Sequence, residues 1–367
     1  MIKDQVYKYS MRDVAKEARV SVSAVSLALR NSPKISEKRR MQITQIAERL
    51  GYVKDGRISE LMEHLRTNRT SRKFSKLAIL IPEITKAEVK SNPVISKLIN
   101  GIESQAHESG YGLDIFYLKE LKASSKRLRE ILISRGIQGV IVMPWVSGVG
   151  ALDLDVDSFS ISTTGYSIID PMVNRACPNF LQMMDELLEQ ACRLGYKRIG
   201  FSMTYPRGGI GHKLFASSFL YYSSLIDESE RIPILPKSEI NPKNLEHWMD
   251  QYEPDVVIGD GSVYQLLLQL GYSIPEDLGF ATLDTAKGPD DASGVDHRHE
   301  VVGREAFKLV LSDLNLNSKG VPELPKVVLV DSHYQTGSTL LKIGRPIDVR
   351  LRKGIRHLLD DGNTQLQ

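Results

Sequence analysis

The fold of the N-terminal region is decided by the stretch Met11-Arg12-Asp13-Val14-Ala15-Lys16-Glu17-Ala18-Arg19-Val20-Ser21-Val22-Ser23-Ala24-Val25-Ser26. Its first apolar residues recur at the three- and four-residue spacing of one helix face, which predicts a helix that stops near Arg19 and Val20. Ser21 is then expected to cap a second helix over residues 22–29, because a serine oxygen accepts a hydrogen bond from a free amide of the first turn. Two short helices joined by a tight turn indicate a helix-turn-helix.

A third helix is predicted to complete this head. Ser36 precedes it, and its apolar face consists of Ile43, Ile46, Ala47 and Leu50. Gly51 supplies a C-terminal stop. We therefore expect residues 1–56 to form a three-helix domain.

These segments resemble the DNA-binding head of the lactose-repressor (LacI/GalR-type) family of bacterial transcription regulators. The run quoted above carries the resemblance, and it is continued by Asn31 to Pro33, Ile35-Ser36 and Glu48-Arg49-Leu50-Gly51-Tyr52. The resemblance implies sequence-specific binding to double-stranded operator DNA, with the second helix in the major groove. Because one helix-turn-helix covers half a site, it also implies at least a homodimer.

The family implies base-reading roles for Val22, Ser23 and Leu27. Leu27 departs from the polar or basic reader that many members have there: a leucine cannot hydrogen-bond a base, but it can cover a thymine methyl group. Contacts with the DNA backbone, which set register without reading sequence, are expected from Ser21, Ser26, Asn31, Ser36 and Arg39.

Residues 57–74 are expected to form a hinge helix and linker. Family members have a proline-containing stretch before this helix, and this chain has Lys54-Asp55-Gly56 instead. Leu61 falls where the family inserts a leucine into the minor groove. The alternative is an apolar helix stripe that packs on a twofold mate or on the body, formed by Ile58, Leu61, Met62 and Leu65.

The charge distribution supports a nucleic-acid-binding head. Residues 1–73 contain 17 Lys and Arg against 8 Asp and Glu, so they carry a net charge of +9, whereas the whole chain carries only +3. The remaining residues are therefore mildly acidic. A basic head on an acidic body favours a polyanionic partner for the head alone.

Composition is ordinary for a globular protein, with 41% hydrophobic and 25% charged residues among 367. No apolar run has the length of a membrane span, and the first ten residues lack the apolar stretch of a signal peptide. We therefore expect a cytoplasmic protein without a membrane partner. Cys177 and Cys192 are the two cysteines, and we expect both to be buried, unreactive thiols.

From about residue 75 the pattern changes to alternating strands and helices, which predicts an α/β body of doubly wound parallel sheets. Segments that resemble the family's effector domain include Leu194-Gly195-Tyr196-Lys197-Arg198-Ile199-Gly200 and Ile274-Pro275-Glu276-Asp277-Leu278-Gly279. The resemblance implies a two-lobed, periplasmic-binding-protein-like body over residues 75–345. We expect one lobe from residues 75–176 with 297–325 and the other from 177–296 with 326–345, followed by a tail, 346–367.

In this architecture a small molecule binds between the lobes, at the carboxyl ends of the strands. The residues expected to bind the effector are Glu83, Trp145, Tyr166, Arg207, His212, Lys213, Asp260, Asp284 and His297. An acidic side chain that grips two hydroxyls and an aromatic ring that covers a sugar face would suit a sugar-like effector. His297 stands where the family often has Gln, so the ligand of a relative is not transferable.

Three other function classes compete with a DNA-binding regulator that senses a small molecule. We expect no catalytic residues, no metal and no cofactor, because the sequence has no metal-binding Cys/His spacing, no phosphate-binding glycine loop after a strand and no nucleophile elbow. A solute-binding protein of a transporter would need a signal peptide and no basic head. A DNA-bound regulator without an effector stays open. The expected function is therefore a transcription regulator, expected to be a repressor, that is controlled by a sugar-like effector.

Overall fold

The structure is a computed structural model, and it describes residues 11–29, 35–50, 75–203, 209–235 and 240–344. The chain divides into two compact units, Met1–Lys73 and Phe74–Gln367. No helix in the described parts is long and apolar enough to cross a membrane.

In its described residues the N-terminal unit has three helices: α1 (Met11–Glu17), α2 (Val22–Ala28) and α3 (Glu37–Arg49). The predicted turn is present, since Arg19 takes a left-handed φ of 52° and Ser21 Oγ accepts a hydrogen bond from the Ala24 amide at 3.2 Å. The apolar positions at helical spacing form a small core, which consists of Val14, Ala15, Ala18, Val25, Ala28, Ile43 and Ala47. An ion pair of 2.6 Å between Arg49 and Glu17 joins α3 to α1.

The first lobe of the body is built on a six-stranded parallel sheet in the order β12-β7-β5-β3-β1-β2. Its strands are β1 (Lys76–Ile81), β2 (Gly112–Tyr117), β3 (Gly139–Val142), β5 (Ser160–Thr164), β7 (Asn174–Pro178) and β12 (Val327–Val330), and a small pair is formed by β4 (Gly150–Ala151) and β6 (Ile168–Asp170). Its helices are α4 (Lys86–Ser91), α5 (Pro93–Glu108), α6 (Leu118–Leu121), α7 (Ser125–Ser134) and α12 (His299–Asn315). Separate apolar cores cover the two faces of this sheet.

The second lobe has a five-stranded sheet in the order β13-β11-β10-β9-β8, parallel except for the β11–β13 pair. Its strands are β8 (Ile199–Phe201), β9 (Val256–Gly259), β10 (Gly279–Thr282), β11 (Gly294–Asp296) and β13 (His333–Gln335). Its helices are α8 (Phe180–Leu194), α9 (Ile210–Leu225), α10 (Pro242–Tyr252) and α11 (Gly261–Gln269), with a short 3₁₀ turn at Glu228–Glu230. The predicted α/β body with two doubly wound sheets is confirmed.

The chain crosses between the lobes three times, and one crossing differs from the expectation. The first crossing follows β7, and the second lies between β11 and α12. These two crossings were expected near Ala176 and His297. The third lies between β12 and β13, because Val327–Val330 pairs with Asn174–Pro178 in the first-lobe sheet. Placing residues 326–330 in the second lobe was therefore wrong. An apolar edge strand fits either sheet, and its sequence does not say which one it joins.

The apolar pattern of the sequence predicts a helix from Gly303 to Leu314, whereas α12 begins earlier, at His299. Two glycines allow α12 to lie directly on α5. A Cβ on Gly101 would overlap the backbone carbonyl of Glu300, and one on Gly303 would overlap that of Leu98. This close approach holds the first turn of α12, including His299, beside the junction of the two lobes.

Candidate functional site

The second helix of the head presents part of its predicted reading surface to solvent. Val22 is 41% exposed, Leu27 is half-buried, and Ser21, Ser36 and Arg39 are exposed. Arg39 donates a hydrogen bond to Gln42 at 3.3 Å, so its guanidinium lies along α3. Ser36 directly precedes α3, although its side chain makes no capping hydrogen bond within the described residues.

Five of the residues predicted to contact DNA or effector lie outside the described part of the structure, wholly or by their side chains. The side chains of Ser23 and Ser26 lie outside the described structure, as do Asn31, Leu61 and Arg207. Their roles stay predictions.

In the body, a cavity of about 190 Å³ lies where both sheets end. It is lined from the first lobe by residues that follow its strands, among them Trp145 and Tyr166, and from the second lobe by Asp284 and residues at the start of α9. Of the nine predicted effector residues, five line this cavity: Trp145, Tyr166, His212, Asp284 and His297. We refer to this cavity as the cleft.

The cleft has a buried carboxylate in its wall, that of Asp284, which is only 4% exposed. Its Oδ1 accepts a hydrogen bond from the Ala286 amide at 3.0 Å, and its Oδ2 accepts one from His299 Nε2 at 3.1 Å. Burial alone would raise the pKa of Asp284, but the neighbouring His297 and the hydrogen bond from His299 outweigh it and hold the pKa below its usual value. The carboxylate is therefore ionised at neutral pH.

His297 is buried next to this carboxylate. Its Nε2 lies 2.6 Å from the carbonyl oxygen of Leu283, which can only accept, so Nε2 carries the proton. Burial lowers the pKa of His297, and the ring is therefore neutral at pH 7 with its lone pair on Nδ1. The ring also packs edge-on against Phe180, with 5.8 Å between the ring centroids.

The first-lobe side of the cleft combines aromatic surface with hydroxyl groups. The ring centroids of Tyr166 and Phe180 lie 6.3 Å apart. Burial raises the pKa of Tyr166 to about 12, so its hydroxyl stays protonated. Thr164, at the end of β5, is 1% exposed. Among the described residues, no hydrogen-bond partner is available to its Oγ1. A buried hydroxyl without a partner in the wall of a cleft is suited to a polar ligand.

Three predicted effector residues lie outside the cleft. Glu83 accepts hydrogen bonds from the amides of Val146 and Ser147 and from the Ser147 hydroxyl, so it braces the loop that carries Trp145. Asp260 accepts hydrogen bonds from the Ser262 and Val263 amides and caps α11. Lys213 lies one residue beyond His212 on α9 and does not line the cavity. A residue that follows a strand can either line a cleft or cap the next helix, and the sequence does not distinguish these roles.

Several cleft residues were missed by the sequence analysis, among them Asn92, Thr164, Phe180, Lys287 and His299. His299 could have been found, because it stands two residues beyond His297 at the same crossing. Thr164 required the end of β5 to be known. The expectation for the thiols agrees with the structure, since both cysteines are buried and burial raises the pKa of Cys177 to about 12 and that of Cys192 to about 11.

Comparison with known proteins gives a consistent result. Residues 10–55 match the family described as bacterial regulatory proteins, lacI family. The chain is 27% identical to the HTH-type transcriptional repressor CytR of Escherichia coli (strain K12) over 141 residues, which is 38% of this chain and 37% of CytR. The aligned part is thus little more than a third of that relative's length.

Two solved regulators share the fold of most of the chain. A complex of the transcriptional regulator CelR with cellobiose matches with a TM-score of 0.51 and 15% identity, covering 90% of this chain and 100% of that one. The lac repressor dimer bound to operator and the anti-inducer ONPF matches with a TM-score of 0.50 and 13% identity, covering 91% of this chain and 99% of that one. The chain therefore combines a head that matches the lacI family of bacterial regulatory proteins with a body that shares the fold of two solved transcription regulators.

Proposed function

We propose that this regulator is a repressor whose affinity for operator DNA is controlled by a sugar-like molecule bound in the cleft. The observation that carries the proposal is the cleft itself, which takes its lining from both lobes and contains an ionised, buried carboxylate. A ligand that touches both lobes can favour one of their arrangements, because it shifts the equilibrium by its differential affinity for the two states.

The chemistry of the cleft suits a polyol. The Asp284 carboxylate can accept hydrogen bonds from hydroxyl groups, and Thr164 Oγ1 can donate or accept one. Trp145 and Tyr166 offer aromatic surface that can cover the apolar face of a sugar ring. The cellobiose complex of CelR, a protein of the same fold, supports this ligand class.

The head supports DNA as the partner. Its net charge of +9 favours contact with phosphates, and the lacI-family match covers its three helices. One such head covers half a site, so we propose that the protein binds a near-palindromic operator as a homodimer. The operator-bound lac repressor dimer supports this assembly.

A two-step experiment tests the function. A thermal-shift screen of sugars and nucleobases, run with a chelator present, should find a ligand that raises the melting temperature, because a ligand bound to the native state alone stabilises it by RT ln(1 + [L]/Kd). Fluorescence anisotropy with operator DNA should then show that this ligand changes operator affinity.

The alternatives give different results. A regulator without an effector binds operator but shows no response to any ligand of the screen. A protein that responds to a sugar but shows no salt-dependent affinity for DNA contradicts the proposed function.

A further inference from the structure

Three potential metal ligands converge in the wall of the cleft. The Asp284 carboxylate, an imidazole nitrogen of His297 and one of His299 offer ligand atoms that all lie within 4.8 Å of one another. Asp284 Oδ2 lies 3.1 Å from His299 Nε2 and 3.8 Å from His297 Nδ1. We propose that these three residues bind a divalent transition-metal ion of the zinc class, a site that goes beyond the proposed function.

The separations suit such an ion. Zinc binds histidine nitrogen and carboxylate oxygen at about 2.0–2.2 Å, and tetrahedral angles then hold the ligand atoms about 3.4 Å apart. The two distances from Asp284 Oδ2 lie on either side of this value, within a few tenths of an ångström of it. Two imidazoles and one carboxylate also form a ligand set that transition metals prefer over magnesium or calcium.

The hydrogen bonds outside the cluster orient two of the ligands. His297 donates its Nε2 proton to the Leu283 carbonyl at 2.6 Å, which leaves the Nδ1 lone pair for a cation. A metal-binding histidine commonly makes this kind of bond with its other ring nitrogen. Asp284 Oδ1 is held by the Ala286 amide, so Oδ2 is the oxygen nearest both imidazoles.

Asp284 Oδ2 and His297 Nδ1 lie 3.8 Å apart inside the protein, so one ion can contact both atoms. Metal binding also requires the proton that His299 now shares with Asp284 to leave Nε2, so affinity should fall as the pH falls.

Zinc titration of the chelator-treated, full-length protein tests the site. Calorimetry with Zn²⁺ alone should give one ion per chain at this site. His297→Gln and His299→Gln remove one imidazole each, keep a polar side chain, and should weaken zinc binding at least about tenfold. His247→Gln is the matched control, because His247 is an exposed histidine on α10 and its loss should leave zinc binding unchanged.

Equal zinc affinity in the wild type and in both cleft variants would overturn the proposal, as would the absence of zinc binding by the wild type. X-ray absorption of the zinc-loaded wild type gives a readout that needs no variant. It should show two imidazoles and an oxygen ligand without sulfur, and a sulfur ligand would contradict the site. Because the sugar screen is run with a chelator, failure of the metal site leaves the test of the proposed function intact.

Discussion

The side chain of His299 donates a hydrogen bond of 3.1 Å to the Asp284 carboxylate, and this bond joins the two lobes of the body. Asp284 follows β10 in the second-lobe sheet, whereas His299 begins α12, which packs in the core of the first lobe. The residue expected to bind effector is therefore also a contact between the lobes. A ligand that competes for this carboxylate changes the interaction between the lobes directly.

Asp284→Asn should lower effector affinity at least about tenfold, because hydrogen bonds to a charged group contribute about 1.5–3 kcal/mol. The same substitution alters the bond to His299 between the lobes, so operator affinity without effector should change as well. Calorimetry and operator anisotropy measure the two quantities. Asp260→Asn is the control, because its side chain caps α11 outside the cleft and an asparagine preserves a cap. If both variants bind effector as the wild type does, Asp284 is not a ligand-binding residue.

Thr164→Val should lower effector affinity without lowering stability. The hydroxyl of Thr164 has no hydrogen-bond partner among the described residues, so its removal costs no internal bond and relieves a buried polar group. Thr163→Val is the matched control one residue earlier, where the hydroxyl donates to the Val142 carbonyl at 2.8 Å. That variant should lose about 1 kcal/mol of unfolding free energy and keep its effector affinity. Denaturant melts measure stability and effector titrations measure affinity. If Thr163→Val loses effector affinity and Thr164→Val keeps it, the effector does not contact Thr164.

The elements that the sequence predicted most closely are those with local signals at both ends. The sequence predicts a helix from Phe180 to Leu194, and α8 has these bounds, since Asn179 caps its start and Gly195 ends it with a φ of 96°. It also predicts a helix from Ser125 to Ser134, and α7 has these bounds, with Ser124 as its cap. The strand Asn174–Pro178 was not predicted, because a short segment containing Asn, Arg and Pro lacks the apolar run of a buried strand. Its conformation depends on its two neighbours in the sheet.

The cleft was predictable only in part for a similar reason. Asp284 and Tyr166 could be placed because they follow predicted strands, but the contribution of His299 depends on where the chain crosses between lobes. The helix begins four residues ahead of the expected Gly303, and its first turn, at Glu300, lies against Gly101. No local pattern around His299 encodes that long-range contact.

The proposed dimer predicts a partner surface on the body. On one face of helix α9, Tyr221 is 59% exposed and Leu225, four residues later, is 49% exposed. We expect a second copy of the chain to cover this apolar face. Tyr221→Asp combined with Leu225→Asp should then give a monomer in sedimentation at micromolar concentration and weaken binding to a full operator. Leu268→Asp, at an exposed position on α11, should remain dimeric. A dimeric double variant would place the interface on another surface.

Substitutions in the head should distinguish residues that read bases from residues that contact the DNA backbone. Leu27→Ala should change the preference among operator variants by about 1–3 kcal/mol per affected base pair, because Leu27 is expected to cover a thymine methyl. Arg39→Ala should instead weaken binding to all sequences and make the slope of log K against log salt shallower by about 0.9, because it removes one phosphate contact. Arg39 is exposed and donates a hydrogen bond to Gln42 on its own helix, so the fold tolerates its loss. Anisotropy titrations over operator variants and salt concentrations measure both effects. A change of base preference in Arg39→Ala, with none in Leu27→Ala, would mean that the base-reading surface lies on α3 rather than α2.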